Sequence, residues 1–551
     1  MKTANRATII FILIFLFNAC GPGSVKDEKS VFVYNEAVGI SSLDPAFAKN
    51  LANIWACNQL YNGLVGLDDK LRVVPSIAES WEISPDGRIY TFHLRDDVFF
   101  HDDDAFKNGR GRKVVARDVL YSFRRLFNPE TASPGAWVFN NVGLIDGAPA
   151  FDAPNDSTFI IRLKHSFPPF LGILSMKYCS IIPREAIDSY GDDFRKNPVG
   201  TGPFRFRMWK EGVKLILRKN PQYFEFDSGQ RLPYLDGVAV TFLKDNQSAF
   251  LEFVQGKLDF LSGLHPSYKD ELLTRRGRLN PKYKDRFKLQ TQPYLNTEYL
   301  GILIDSNMQI VRESPLRLRK IRKAINYGFD RTKMIRYLRN GIGTPGIYGI
   351  IPEGLPSFDT TANVGYNYRP DISRKLLREA GFPDGEGLPD ISLHTTSEYL
   401  DLCKFIQHQL SEVGIPIRIE VHPGGALREM KAQAKLNFFR ASWIADYPDA
   451  ENYLSLFYSK NFCPDGPNYT HFSSMEVDSL YEQSLKIMDD TSRIRLYRKI
   501  NALVMQEAPL VILYYDQVLR FTQINISGLG SNPINLLDLR RVKKITEEKQ
   551  N

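Results

Sequence analysis

An aspartate placed directly behind an apolar segment is the residue of this chain whose position most suggests chemistry. Residues 438–444 are rich in aromatic and apolar side chains, which favours a buried strand, and Asp446-Tyr447-Pro448-Asp449 is typical of a turn that ends it. The carboxyl ends of strands in open α/β sheets border the ligand crevice. Asp446, flanked by Trp443 and Tyr447, therefore indicates a pocket for a cationic group with an apolar part. A turn-forming aspartate is the simpler alternative, because Asp is common in such loops.

The same segment resembles the site segment of a known protein family. Its pattern is Trp-x-Ala-Asp-Tyr, followed by Asn452-Tyr453-Leu454, and it is similar to that of the bacterial extracellular solute-binding family 5. That family contains the oligopeptide- and dipeptide-binding proteins of ABC importers. Its matching aspartate pairs with the α-ammonium group of the peptide, so the resemblance assigns this role to Asp446. It also implies that the residues before Leu-Asp-Pro, here Gly39, Ile40 and Ser41, pair with the ligand backbone.

Other segments extend the resemblance over nearly the whole mature chain. The most recognisable is a hairpin predicted within residues 75–95, whose turn is supplied by Asp86-Gly87. Further matching segments are Val115 to Phe123, Pro198 to Phe204, Lys219 to Phe224 and Ala508 to Tyr515. The resemblance implies an α/β fold of the periplasmic-binding-protein type II, with two large lobes, a cleft between them and a small inserted α+β lobe.

The order of these segments predicts how the chain is divided among the lobes. We expect lobe I to contain residues 31–62, 180–270 and 509–545, the small lobe residues 63–179, and lobe II residues 271–508. Within lobe II, alternating apolar residues around Ile391 and from Ile415 to Val421 flank a helix near Leu402. This pattern predicts a βαβ unit with parallel strands.

Peptide capture by this arrangement has a physical logic. An extended peptide can add as a strand against Gly39 to Ser41 on one lobe and against Ser442, Trp443 and Ile444 on the other, which recognises its backbone without selecting side chains. Arg440 lies six residues before Asp446. Its guanidinium either binds the carboxylate of the ligand or pairs with a structural acid, since guanidinium groups serve both purposes.

The amino terminus predicts export. Lys2 and Arg6 precede an apolar run from Ala7 to Phe17, which is shorter than the roughly 20 residues of a membrane-spanning helix and is typical of a signal peptide. Ala19-Cys20 resembles a bacterial lipobox, so we expect residues 1–19 to be removed and Cys20 to carry lipid, with residues 20–30 as a tether. Phe17 stands where Leu is usual, and a plain secretory signal is the alternative. The expected location is the periplasm or cell envelope, anchored to a membrane by lipid.

Composition narrows the classes of function. The chain has 551 residues, 43% of them hydrophobic, which is enough for several globular cores. The net charge is +8, and the sequence contains no Lys/Arg run that would indicate a nucleic-acid-binding surface. Five widely spaced cysteines form no Cys-x-x-Cys pair, and the eight scattered histidines indicate no metal site. No Gly-x-Ser-x-Gly or His-Glu-x-x-His motif occurs.

These observations predict a monomeric solute-binding lipoprotein, with no cofactor, that captures short peptides and delivers them to the permease and ATPase subunits of an ABC importer. Two alternatives remain open. A protein of the same family and fold can bind another ligand, such as a nickel chelate, haem or an oligosaccharide. A secreted hydrolase would use Asp446, Asp449 and Glu451 as paired carboxylates.

Overall fold

A single mixed sheet runs through the protein. The computed structural model describes residues 30–545, except residues 264, 266 and 363, so the predicted signal peptide, Cys20 and most of the tether lie outside the described residues. Ten strands of the sheet form a continuous ladder, and an eleventh, Thr344–Pro345, pairs with Leu510–Gln523. The order of the ladder is Phe204–Lys210, Lys214–Lys219, Gly237–Thr241, Val31–Asn35, Phe260–Ser262, Leu510–Gln523, Phe287–Ile302, Phe438–Ile444, Ile391–Thr395 and Ile417–Val421.

Two long antiparallel strands join the two large lobes. The first part of Phe287–Ile302, up to Pro293, pairs with residues 517–523 in lobe I, and its last part, from Thr297, pairs with residues 510–515 in lobe II. Between Pro293 and Thr297 the register shifts. A break in the ladder at this point permits bending of one lobe against the other, because the hydrogen bonds that stiffen both halves are interrupted there.

Lobe I is built around the first strand of the described chain. Phe32 and Tyr34 of Val31–Asn35 are buried and alternate with half-buried residues. This strand pairs in parallel with Gly237–Thr241 and touches Phe260–Ser262. The helix Leu51–Leu60 packs against it and begins at Asn50, whose side chain accepts a hydrogen bond from the main-chain N–H of Asn53.

Lobe II contains the predicted βαβ unit. Strands Ile391–Thr395 and Ile417–Val421 are parallel, and the helix Leu400–Ser411 connects them. Phe438–Ile444 pairs along its full length with Phe287–Ile302. Its other edge meets Ile391–Thr395 only at Phe439 and His394.

The small lobe is an antiparallel sheet covered by a helix. Its four strands follow the order Ala78–Ile83, Ile89–Leu94, Thr158–Arg162 and Phe151–Asn155. The first two form the hairpin predicted from Asp86-Gly87, where Gly87 has a φ of +67° that a glycine adopts without strain. Helix Ala116–Arg125 packs on this sheet through the buried Phe123.

The remaining elements complete the lobes and their surfaces. The other α-helices are Phe170–Leu174, Arg184–Tyr190, Asn246–Val254, Lys269–Leu272, Gln309–Arg312, Arg319–Tyr327, Arg331–Leu338, Pro370–Glu379, Gly424–Ala432, Glu451–Leu454, Met475–Ser484 and Asp490–Glu507. Short 3₁₀ helices are Pro45–Phe47, Lys107–Gly109, Ala136–Phe139, Lys177–Cys179, Gly191–Arg195, Pro281–Tyr283, Pro315–Arg317, Pro383–Gly385, Ser397–Tyr399, Ser455–Phe457 and Ser459–Asn461. Two-stranded ribbons pair Val65–Leu67 with Val73–Pro75, Leu144–Ile145 with Ala148–Pro149, Phe226–Asp227 with Gln230–Arg231, and Ile526–Ser527 with Lys543–Lys544.

Two further features of the described chain bear on the sequence expectations. Cys57, Cys179, Cys403 and Cys463 are buried as free thiols. Of the helices within residues 30–545, none combines the length and the apolar character needed to cross a bilayer. The exact lobe boundaries stay a prediction, because two strands are shared by both large lobes.

Candidate functional site

A cavity of about 400 Å³ lies where the three lobes meet. Lobe I contributes the start of helix Leu51–Leu60, and the small lobe contributes Val65 to Asp69 and Ser175 to Tyr178. Lobe II contributes Pro448 and the segment from Ile444 to Asp446, and Tyr294 comes from the register break between the two large lobes. The cavity therefore has walls from all three lobes, and relative movement of the lobes would open or close it.

Asp446 reaches the cavity from the end of a strand, as predicted. Strand Phe438–Ile444 ends two residues earlier, and the carboxylate is exposed to the cleft. Asn452 fixes this turn: its Oδ1 accepts hydrogen bonds from the main-chain N–H of Asp446, at 3.2 Å, and from the indole N–H of Trp443, at 2.8 Å. The family motif thus contains both the acid and the amide that holds it in position.

The surroundings of Asp446 favour a cationic partner. Although the carboxylate is accessible from the cleft, partial desolvation by the cavity walls raises the pKa of Asp446, while a hydrogen bond with the side chain of Asn452 acts in the opposite direction. Tyr178 lines the same cavity, and burial together with the charge of Asp446 raises its pKa to about 12. Within the part of the chain that the structure describes, Asp446 takes part in no salt bridge.

The turn behind Asp446 is held by buried polar groups. The hydroxyls of Tyr447 and Tyr481 both donate to the carboxylate of Glu451, and burial raises the pKa of Glu451 to about 7. Glu451 is 3% exposed, so this carboxyl cannot reach a ligand directly. Tyr447 is likewise buried and positions the turn without lining the cavity.

Arg440 pairs with a structural acid. Its guanidinium forms a salt bridge with Glu298 on the neighbouring strand and lies 3.3 Å from the centre of the Tyr399 ring. Both partners of the salt bridge are largely enclosed, with side chains 13% and 4% exposed. Of the two roles that the sequence left open, the geometry therefore favours the structural one.

The structure brings some of the predicted site residues together and leaves others apart. Ile444 lines the cavity with Asp446, whereas Ser442 and Trp443 belong to the strand that leads to it. Gly39, Ile40 and Ser41 do not line this cavity. Gly39 adopts a φ of +83°, Ile40 is buried, and the main-chain N–H of Ser41 donates to Oδ1 of Asn53 at 3.1 Å.

Lys177 is a cavity residue that the sequence argument missed. It lies in the small lobe, and burial together with the nearby charge of Arg540 lowers its pKa to about 8. The only local signal is a lysine inside the mostly apolar segment 170–182. Its position beside the same cavity as Asp446 arises from the packing of two lobes, which no local pattern indicates.

Comparison with known proteins agrees with this architecture. The family model for "Bacterial extracellular solute-binding proteins, family 5 Middle" matches residues 72–462. The glutathione-binding protein GsiB of Salmonella typhi is 28% identical over 505 residues, which are 90% of this chain and 91% of that protein.

Solved structures show the same fold. The periplasmic binding protein DppA from Helicobacter pylori, in complex with the peptide STSA, superimposes with a TM-score of 0.73 at 25% identity, covering 94% of this chain and 98% of DppA. HbpA2 from Haemophilus parasuis superimposes with a TM-score of 0.80 at 21% identity, covering 94% of this chain and all of HbpA2 (100%). The predicted type II binding-protein fold is thereby confirmed.

The motifs, the fold and the family model lead to the same assignment, to a family of extracytoplasmic proteins. The chain belongs to family 5 of the bacterial extracellular solute-binding proteins, and it is a solute-binding protein of an ABC importer rather than an enzyme.

Proposed function

We propose that the protein captures short peptides with a free amino terminus, and that Asp446 binds their α-ammonium group. The observation that carries this proposal is the position of the Asp446 carboxylate on the wall of the inter-lobe cavity, without a cationic partner among the described residues. An enclosed ammonium would supply the missing counter-charge through a charge-assisted hydrogen bond, which contributes about 1.5–3 kcal/mol.

The edge of the strand that leads to Asp446 supports recognition of a peptide backbone. Beyond the contact between Phe439 and His394, residues 440–444 have no strand partner on that edge within the described chain. A peptide in extended conformation can pair with such an edge through main-chain hydrogen bonds. Pairing with Gly39 to Ser41 stays a prediction, and the Ser41 N–H is already used by Asn53.

The cavity also suits a short zwitterion. Its volume of about 400 Å³ lies within the range of small-ligand pockets, roughly 300–1,000 Å³. Lys177 offers a positive charge on the small-lobe wall, which suits a ligand carboxylate. Two relatives favour peptides as well, since DppA was solved with the peptide STSA and GsiB is named for glutathione, a tripeptide.

Delivery completes the proposed function. The closed, loaded protein would present its lobes to the permease of the importer as a monomer, anchored to the membrane through lipid on Cys20. The register break between Pro293 and Thr297 provides the bending point for closure.

Native mass spectrometry of the purified protein tests the proposal directly. We expect co-purifying peptides, and after their removal we expect calorimetric binding of tri- and tetrapeptides with free amino termini. The same peptides with acetylated amino termini should bind much more weakly. Binding of a chelate, haem or an oligosaccharide in place of peptides would overturn the proposal.

A further inference from the structure

A cluster of two histidines and a glutamate lies on lobe II, apart from the peptide cavity. His394 belongs to strand Ile391–Thr395, and Glu420 is its direct partner on the parallel edge strand Ile417–Val421. His422 follows two residues after Glu420, so the three side chains project from the same face of the sheet. The opposite face at this position is apolar, with Leu393 buried in the core.

The three side chains converge on one point. Nδ1 of His394 lies 2.9 Å from Nε2 of His422 and 3.5 Å from Oε2 of Glu420. One ligand atom from each residue can be chosen so that all three lie within 4.8 Å of one another. Around a tetrahedral zinc ion with bonds of 2.0–2.1 Å, neighbouring ligand atoms are about 3.3–3.4 Å apart. Shifts of a few tenths of an ångström in the two rings would therefore admit a metal ion.

The orientation of Glu420 is set by groups behind it. Its other oxygen, Oε1, accepts hydrogen bonds from the hydroxyl of Ser392, at 2.9 Å, and from the guanidinium of Arg418, at 2.6 Å. Oε2 is left directed at His394. The main-chain N–H of His422 donates to the carbonyl oxygen of Thr395, which extends the parallel ladder and fixes the second histidine. Such outer contacts hold the ligands of protein metal sites in position.

From this geometry we propose that His394, Glu420 and His422 bind a divalent first-row transition metal ion, with zinc as the preferred occupant. Two imidazoles and one carboxylate match the ligands that zinc takes in three-residue sites, with a fourth position left for water or another ligand. The side chains of His394 and Glu420 are 13% and 31% exposed, so the cluster is shielded yet reachable from solvent.

The proposed ion would bridge the edge strand of lobe II to its neighbour. On the other side, His394 pairs only with Phe439 of strand Phe438–Ile444. Asp446 lies seven residues after Phe439, beyond the end of this strand, roughly 20 Å away at about 3.3 Å per extended residue. The metal site is therefore distinct from the peptide site. Its expected effect is to stabilise the sheet edge, because an ion that binds only the folded chain raises its stability. A metal-free hydrogen bond between the two imidazoles is the competing explanation.

Zinc titration of the purified protein, after treatment with a chelator, tests the proposal. We expect one Zn²⁺ ion per chain by calorimetry, a thermal unfolding midpoint that rises with zinc, and no uptake of Mg²⁺. Replacement of Zn²⁺ by Co²⁺ should give the visible absorption of a tetrahedral site. Glu420→Gln and His422→Gln should each weaken zinc binding by at least about tenfold, because removing even a group that only supports a metal ligand typically costs roughly 10–100-fold.

A matched control is available on the same lobe. His408 and Glu412 are an exposed histidine–glutamate pair on the surface of helix Leu400–Ser411, with a ring nitrogen 3.8 Å from a carboxylate oxygen. His408→Gln should leave zinc affinity unchanged. Circular dichroism of the zinc-free variants shows whether each is folded. His422 is replaced rather than His394, because a change at the more enclosed His394 could prevent folding. Equal zinc affinity in the wild type, Glu420→Gln and His422→Gln would show that the two histidines form only a hydrogen-bonded pair, and it would overturn the proposal.

Discussion

The indole N–H of Trp443 donates a hydrogen bond to Oδ1 of Asn452 at 2.8 Å, and this contact ties the end of strand Phe438–Ile444 to the helix beyond the Asp446 turn. The same oxygen accepts the main-chain N–H of Asp446. One amide thus sets the position of the acid relative to the strand.

Asn452→Ala is expected to weaken the binding of free peptides by about tenfold, since one or two hydrogen bonds of about 0.5–1.5 kcal/mol each would be lost from the turn. Calorimetry measures the loss. Asn437→Ala is the control, because Asn437 donates to the carbonyl of Leu303 just before the same strand begins, far from the cavity. An equal loss in both variants would indicate general destabilisation of the strand.

Asp446→Asn is expected to weaken free peptides by about 1.5–3 kcal/mol and to leave N-acetylated peptides almost unchanged. Asn keeps the size of the side chain and one acceptor oxygen but removes the charge. Titration of both peptide forms against both proteins closes a double cycle, and its coupling energy isolates the carboxylate–ammonium contact. A coupling energy near zero would leave Asp446 as a turn residue.

The pKa of Asp446 predicts a pH dependence with a definite sign. Desolvation raises this pKa in the empty cavity, and a bound ammonium favours the ionised form and lowers it. Near and below the raised pKa of the empty site, part of the Asp446 carboxylate is protonated, so peptide binding releases protons. Peptide affinity should therefore decline on acidification and should no longer depend on Asp446 at pH values above this pKa. Calorimetry in buffers of different ionisation enthalpy measures the released protons. Asp446→Asn should show neither effect.

Glu451 predicts a pH dependence of stability. Its pKa is about 7 in the folded protein against an ordinary value of 4.5, so the folded chain binds more protons between these values and the free energy of unfolding decreases as the pH rises through this window. The decrease is at most about 3–4 kcal/mol, at 1.36 kcal/mol per pH unit. Glu451→Gln should remove this part of the slope in urea unfolding, whereas Glu476→Gln on an exposed helix surface should not.

Cys20→Ser is expected to release the protein from membranes without changing its peptide affinity, because the proposed lipid and the cavity belong to different parts of the chain. Fractionation of cells and calorimetry of the soluble form measure the two effects. Membrane retention of a variant whose signal peptide is still removed would contradict lipid attachment at Cys20.

The sequence predicted the regularly patterned elements well and the shared strands poorly. Alternation identified the βαβ unit of lobe II, because apolar and polar residues alternate along its strands. The family resemblance covered this part of the chain only from Ala508 to Tyr515, yet the strand that begins at Leu510 continues to Gln523 through Asp516 and Gln517. Asp516 and Gln517 lie at the register break with Phe287–Ile302, where the strand passes from one lobe to the other, and Asp516 pairs there with Arg339.

The candidate site was predictable only on one side of the cleft. Asp446 and the residues that position it lie within a single short motif, so the resemblance located them together. Lys177 and Tyr178 reach the same cavity from the small lobe, and only the folded arrangement of the lobes reveals this. In the same way, His394 and His422 stand 28 positions apart in the sequence and meet through parallel strand pairing.

The strand order of lobe I has a consequence for how the protein is made. Val31–Asn35 is separated from Leu510–Gln523 in the sheet by the single strand Phe260–Ser262, so the first and last parts of the chain complete the same layer. During synthesis and export, the amino-terminal strand emerges long before the carboxyl-terminal strand that closes its sheet. Contacts of such long sequence separation form slowly, because a large loop must close first. The sheet of lobe I therefore cannot be completed until Leu510–Gln523 has been made, so the amino-terminal part of the chain stays incompletely folded until its last segment is available.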